Sequence, residues 1–138
     1  MNTRDGVILL VDDEPSLSQA LAFTLESQGF ECLSVSDMSA GYNALKRYNI
    51  RAVVTDIMMP AGPLFADIDS SEAGFHFIEI VQNEWPRLPI VCLSVIGDRD
   101  KIHMLTKRGV RYLRKGETPL STAVEVIAAV AAGRNIRL

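Results

Sequence analysis

Five short apolar runs alternate with longer amphipathic stretches from one end of the chain to the other, and this alternation constrains the fold more than any other feature. A short strand that is apolar throughout must be covered on both faces, and a parallel connection needs a crossover long enough to carry a helix. An α/β architecture, a parallel sheet flanked by helices, satisfies both demands.

Val7 to Val11 reads as a strand buried on both faces, with Asp12, Asp13 and Glu14 at its carboxyl end. A helix opens at Pro15, in the first-turn position that tolerates proline. It places Leu17, Leu21, Thr24 and Leu25 on one side, and Gly29 stops it. Phe30 to Val35 is the second strand, after which Ser36 or Asp37 can cap a helix that turns Ala44 and Leu45 inward. Ile50 to Thr55 is the third strand, ending on Asp56. A helix from about Gly74 to Trp85 turns Phe75, Ile78 and Val81 inward, and Ile90 to Leu93 is the fourth strand, ending on Ser94. Asp98 caps a polar helix as far as Arg108, closed by Gly109. Val110 to Leu113 is the fifth strand, with Lys115 just beyond it, and Thr118 and Pro119 open a last helix that Gly133 closes.

In that last helix Leu120, Ala123, Val124, Ile127 and Ala131 share one side and are expected to cover the sheet. Val126, Ala129 and Val130 extend the apolar surface around the flank, where with Tyr112 they are expected to form an exposed patch. Ala61 to Ala73 is the irregular segment. Gly62, Pro63 and the polar run Asp67 to Glu72 break the rhythm there, and the segment is expected to be an enlarged loop with little core contact.

The 138 residues fit one domain, 1–138, and 48% hydrophobic against 22% charged residues is a globular balance. A formal charge of -3 without a basic stripe argues against direct nucleic-acid binding. The longest apolar runs fall far below a membrane span and the N-terminus lacks a signal-peptide core, so a cytoplasmic protein is expected. Cys32 and Cys92 lie in apolar runs without CxxC spacing and read as buried free thiols. His76 and His103 lack a partner at a fixed interval.

Ligands of an open parallel sheet bind beyond the carboxyl ends of its strands. Every candidate reactive residue stands at such an end: Asp12 and Asp13, Asp56, Ser94 and Lys115. Two carboxylates about 4 Å apart repel by roughly 4 kcal/mol at an effective dielectric of about 20. A divalent cation removes the conflict, and an all-oxygen set without His or Cys at ligand spacing favours Mg²⁺ over zinc. A carboxylate beside Mg²⁺ can attack phosphorus to form an acyl phosphate, whose charge a lysine and a hydroxyl can help to balance.

Three motifs carry a resemblance: Val-Asp-Asp-Glu at 11 to 14, Asp-Ile-Met-Met-Pro at 56 to 60 and Tyr-Leu-Arg-Lys at 112 to 115. In order and at strand ends, they resemble the receiver domain of two-component response regulators over nearly the whole chain. The resemblance implies a flavodoxin-like, doubly wound five-stranded sheet of order 2-1-3-4-5, in which the four reactive strand ends are neighbours. It implies that Asp56 is the phosphoacceptor, that Asp13 and the Met58 backbone carbonyl join it around Mg²⁺, and that Asp12 orients metal-bound water. It further implies that Ser94 reaches the phosphoryl group, that Lys115 pairs with it, and that Tyr112 turns inward when Ser94 moves. The implied donor is a phosphohistidine on a sensor histidine kinase or phosphotransfer protein. A phosphorylation-linked homodimer through the face of the fourth helix, fifth strand and fifth helix is expected.

Two positions depart from the pattern: Gly116 follows Lys115 where many receivers have proline, and Val95 follows Ser94 where a small residue is usual. The leading function is a signalling switch that phosphorylates itself and is not otherwise an enzyme. The alternative is a receiver-like scaffold without phosphoryl turnover. An aspartyl phosphatase ranks last, because no second carboxylate follows just after Asp56. The alanine-rich end, residues 128 to 134, resembles receivers that precede a DNA-binding module, so DNA is expected as a partner only if such a module follows.

Overall fold

The computed structural model describes residues 6–95 and 97–133. Residues 1–5, on which the signal-peptide reading partly rests, and residue 134 of the alanine-rich motif lie outside the described residues. The elements run β1 (Val7–Val11), α1 (Pro15–Ser27), β2 (Glu31–Val35), α2 (Met38–Arg47), β3 (Ile50–Thr55), α3 (Ala73–Glu84), β4 (Ile90–Ser94), α4 (Arg99–Lys107), β5 (Arg111–Arg114) and α5 (Leu120–Ala131). All strand pairs are parallel and the order is β2-β1-β3-β4-β5, as the resemblance implied.

Successive strand residues point to opposite faces, so the sheet sorts its apolar side chains into two cores. Leu9, Val11, Val53 and Cys92 meet Phe77, Val81 and Leu105 of α3 and α4 on one face. Ile8, Leu10, Val54 and Val91 meet Leu25 of α1 and Ile127 of α5 on the other. The register sets Val11 opposite Thr55 and Thr55 opposite Cys92, so Asp12 and Asp56 leave adjacent strands at the same level.

Local signals decided most helix ends. Asp37 caps α2 by accepting from the Ala40 N–H at 2.7 Å, and Asp98 caps α4 by accepting from Asp100 and Lys101.

Four expectations need correction. Phe77, fully buried, is the aromatic of α3 that fills the core, whereas Phe75 is half-buried beneath the Lys101 ammonium, 5.2 Å from its ring. The stripe facing the sheet is Ala73, Phe77, Ile78 and Val81, and Phe75 sits two residues, over half a turn, away from Phe77. Val126 and Ala129 are buried, so the flank patch expected on α5 does not exist. The helix packs against α1 as well as the sheet, which puts two of its sides inside. Leu120, expected to cover the sheet, is exposed at the first turn beyond the strand ends.

The fourth correction concerns residues 61 to 73. Ala61 and Ala73 are buried, Phe65 and Ile68 pack on the α2–α3 core, and Pro63–Phe65 forms a 3-10 turn. The buried Ser39 hydroxyl donates to the Ala61 carbonyl at 2.7 Å and accepts from the Leu64 N–H at 3.0 Å. Backbone N–H groups of Met38 and Ser39, at the start of α2, donate to the Pro60 and Ala61 carbonyls. Gly62 passes so close to Ser39 and Asp37, at φ +80°, that a side chain has no place there. The polar side chains face water, but Phe65 before the run and Ile68 within it anchor the loop.

Candidate functional site

Asp56 is the residue after β3 and is buried, 6% exposed, among three neighbours of opposite character. Its Oδ1 accepts from the Ile57 N–H at 2.6 Å and, more weakly, from the Met58 N–H at 3.4 Å. Its Oδ2 accepts from the Lys115 ammonium at 2.7 Å. The turn after β5 delivers that lysine, its backbone N–H donating to the Ser94 carbonyl at 2.9 Å and so tying β5 to β4 at this level.

Lys115 also pairs with Asp12 Oδ2 at 2.9 Å and approaches Glu14 Oε1 at 3.6 Å. Burial alone would lower the lysine's pKa, but hydrogen bonds to Asp56 and Asp12 outweigh it and hold the ammonium charged far above neutral pH. Asp12 moves the other way from what a paired carboxylate suggests. Burial pushes its carboxyl above the usual range, against the hydrogen bonds from Lys115 and the Glu14 N–H, and the Asp56 charge raises it further.

Asp13 is exposed, yet one carboxylate oxygen from each of Asp12, Asp13 and Asp56 falls within 4.8 Å of the others. This group offers only oxygen donors, and the two cysteines take no part in it. It suits a hard divalent cation rather than zinc. The Met58 side chain is 46% exposed.

A family model described as the response regulator receiver domain matches residues 8–125. The chain belongs to this family. Response regulator GtcR of Aneurinibacillus migulanus is 30% identical over 88% of the chain, which spans 46% of GtcR. Transcriptional regulatory protein GlrR of Escherichia coli is 26% identical over 80% of the chain and 22% of its own length. The chain therefore spans about half or less of these curated relatives. A receiver domain structure from Clostridium thermocellum superposes with a TM-score of 0.73 at 25% identity, covering 92% of this chain and 94% of that one. The beryllofluoride-activated NtrC4 receiver dimer superposes at 0.76 with 22% identity, covering 92% and 97%, and supports the fold. No described helix is long and apolar enough to cross a membrane.

In this receiver the structure brings Asp12, Asp13, Asp56 and Lys115 together. Ser94 is fully buried at the end of β4, and the Tyr112 hydroxyl donates to its carbonyl oxygen at 3.3 Å, so the two residues named for the switch already touch. Gly116 turns at φ +83°, with no cis peptide bond among the described residues. Val95, 56% exposed, lines a groove beside Lys115.

Two contributors escaped the reading of the sequence. Glu14 was visible in its motif but received no role, because nothing local shows that its side chain reaches a lysine a hundred residues away. Gly74 was read only as a helix start. A Cβ there would press on the Asp56 carbonyl and the Ile57 backbone, while its N–H donates to the Ile57 carbonyl at 2.8 Å. Glycine lets α3 begin against the loop that follows Asp56, and only the packed structure displays that approach.

Proposed function

We propose that this receiver is a phosphoacceptor switch of a two-component system, in which Asp56 takes a phosphoryl group from the phosphohistidine of a sensor kinase or phosphotransfer protein. One observation carries the reading: the Asp56 carboxylate is pinned at Oδ1 by backbone N–H groups while Oδ2 faces the Lys115 ammonium. The group is oriented, and its second oxygen is the nucleophile.

Asp56 Oδ2 attacks phosphorus, the phosphorus–nitrogen bond of the donor breaks, and the imidazole leaves with the electron pair and takes up a proton from solvent. Asp13 and the Met58 carbonyl would join Asp56 in holding Mg²⁺, with Asp12 orienting its water. The ion neutralises phosphoryl charge when bound. Lys115 exchanges its hydrogen bond to Oδ2 for one to a phosphoryl oxygen, as a point charge able to follow the new anion. Ser94 turns its hydroxyl to another phosphoryl oxygen, and Tyr112, already against Ser94, moves further inward.

The product is the protein's own altered surface, so the chain is not an enzyme acting on an outside substrate. Its partners are the donor and whatever reads that surface in the cytoplasm. DNA enters only through a further module, as the transcriptional role of the longer GlrR suggests. Association of two phosphorylated copies through α4, β5 and α5 would be largely polar, since Val126 is buried.

Mass spectrometry after incubation with acetyl phosphate and Mg²⁺ tests the reading. Wild type should gain one base-labile phosphoryl group, and Asp56→Asn, or wild type in excess chelator, should gain none. Labelling of Asp56→Asn at the wild-type rate would refute the acceptor, and an unlabelled wild type would leave only the scaffold.

A further inference from the structure

The side chain of Glu14 has no structural task of its own. Glu14 is the N-cap residue of α1, yet its carboxylate makes no capping hydrogen bond. Its backbone does the local work, the N–H donating to Asp12 Oδ1 at 2.9 Å and the carbonyl accepting from the Ser18 N–H. The carboxylate instead stands 54% exposed, 3.6 Å from the Lys115 ammonium. It forms part of the rim of a groove of about 460 Å³ in which Lys115 is the other charged wall, and the rest, among them Leu17, Val95 and Leu120, carry no charge.

Three carboxylates, those of Asp12, Glu14 and Asp56, thus meet around the Lys115 ammonium, and a fourth, that of Asp13, adjoins Asp12 and Asp56. A divalent cation held by Asp13 and Asp56, with Asp12 orienting its water, would bring this set to within one charge of neutrality. Glu14 lies outside the group that could hold the ion, and it supplies the charge that remains.

Resting on the reading of Asp56 as acceptor, we propose that Glu14 is a specificity-determining residue that selects among phosphodonors by their charge. A phosphoryl group in contact with Lys115 lies about 6 Å from the Glu14 carboxylate, and repulsion at the dielectric of water then slows a donor about threefold per unit of its negative charge. Small, highly charged acyl phosphates are discouraged most. A protein-borne phosphohistidine, whose imidazole and surroundings offset phosphoryl charge, is discouraged least. The effect is one of charge rather than shape, so salt must erase it.

The test compares initial labelling rates of wild type, Glu14→Gln and Glu14→Asp near pH 7 with acetyl phosphate, which is dianionic there, and with phosphoramidate, whose ammonium leaves it a net monoanion. At low ionic strength Glu14→Gln should accelerate acetyl phosphate about tenfold and phosphoramidate about threefold. The preference should vanish near 1 M salt, where the screening length is about 3 Å. Glu14→Asp, keeping the charge, should remain close to wild type. Binding of beryllofluoride, an anion that does not react, should tighten about threefold in Glu14→Gln at low salt. Labelled wild type with an unchanged donor ratio in Glu14→Gln, or a changed ratio that persists in high salt, overturns this role alone. Wild type that is never labelled overturns it together with the acceptor reading.

Discussion

The Lys115 ammonium lies 2.7 Å from Asp56 Oδ2, the carboxylate oxygen that no described backbone N–H holds. The lysine therefore covers the oxygen proposed as nucleophile and must give way as the new bond to phosphorus forms. Lys115, Asp12 and Asp56 have side chains at most 10% exposed, so the contact is shielded from water on most sides.

Lys115→Ala should remain labelled by acetyl phosphate but respond less to it, because the phosphoryl group loses the cation that draws it toward β5. Comparing amide spectra before and after beryllofluoride addition checks this. In metal-free buffer the same variant should unfold more easily by about 3 kcal/mol, since it leaves nearly buried carboxylates uncompensated. Mg²⁺ should return part of the loss. Denaturant titration with and without the ion measures both quantities.

Gly74→Ala should destabilise the fold by about 1 to 3 kcal/mol, because the added methyl meets backbone rather than a side chain able to turn aside. The same displacement shifts the Asp56–Ile57 peptide, so labelling should slow as well. A variant as stable and as fast as wild type would contradict the close approach.

Ser39→Ala removes a buried hydroxyl that donates to Ala61 and accepts from Leu64. A cost of about 1 to 3 kcal/mol is expected, with faster hydrogen exchange at the Leu64 amide. Deleting residues 62 to 72 should be worse still, since Phe65 and Ile68 leave the core with them. Urea denaturation ranks the two variants.

Neither thiol should react with iodoacetamide in the folded protein at pH 8. Burial pushes Cys92 up to about 12, helped by the nearby Asp56 charge, and burial likewise pushes Cys32 up to about 12, helped by Glu26 and Glu31. Thiolate is thereby scarcer by roughly three orders of magnitude than for an ordinary thiol. Both should alkylate readily in denaturant, and intact-mass measurement counts the adducts.

What the sequence determined by itself was periodicity and punctuation. Val7 to Val11 and Ile50 to Thr55 read as buried strands because continuous apolar runs of that length have few other solutions, and Asp37, Asp98 and Pro15 mark helix starts by local hydrogen bonding or ring geometry. Asp12, Asp56, Ser94 and Lys115 were legible as strand-end residues, and the family resemblance turned those positions into one site. Only the tertiary structure decided what depends on two surfaces meeting. Val126 is buried because α5 touches α1 as well as the sheet, and a hydrophobic pattern counts apolar positions without saying how many neighbours a helix has. Phe77 rather than Phe75 enters the core because a shift of two residues turns a helix past its opposite side. Phe65 and Ile68 anchor a loop whose polar composition hid them. Glu14 meets Lys115 because β1 and β5, far apart in the chain, finish at the same carboxyl end of the parallel sheet, and such long-range electrostatics leaves no trace in local spacing.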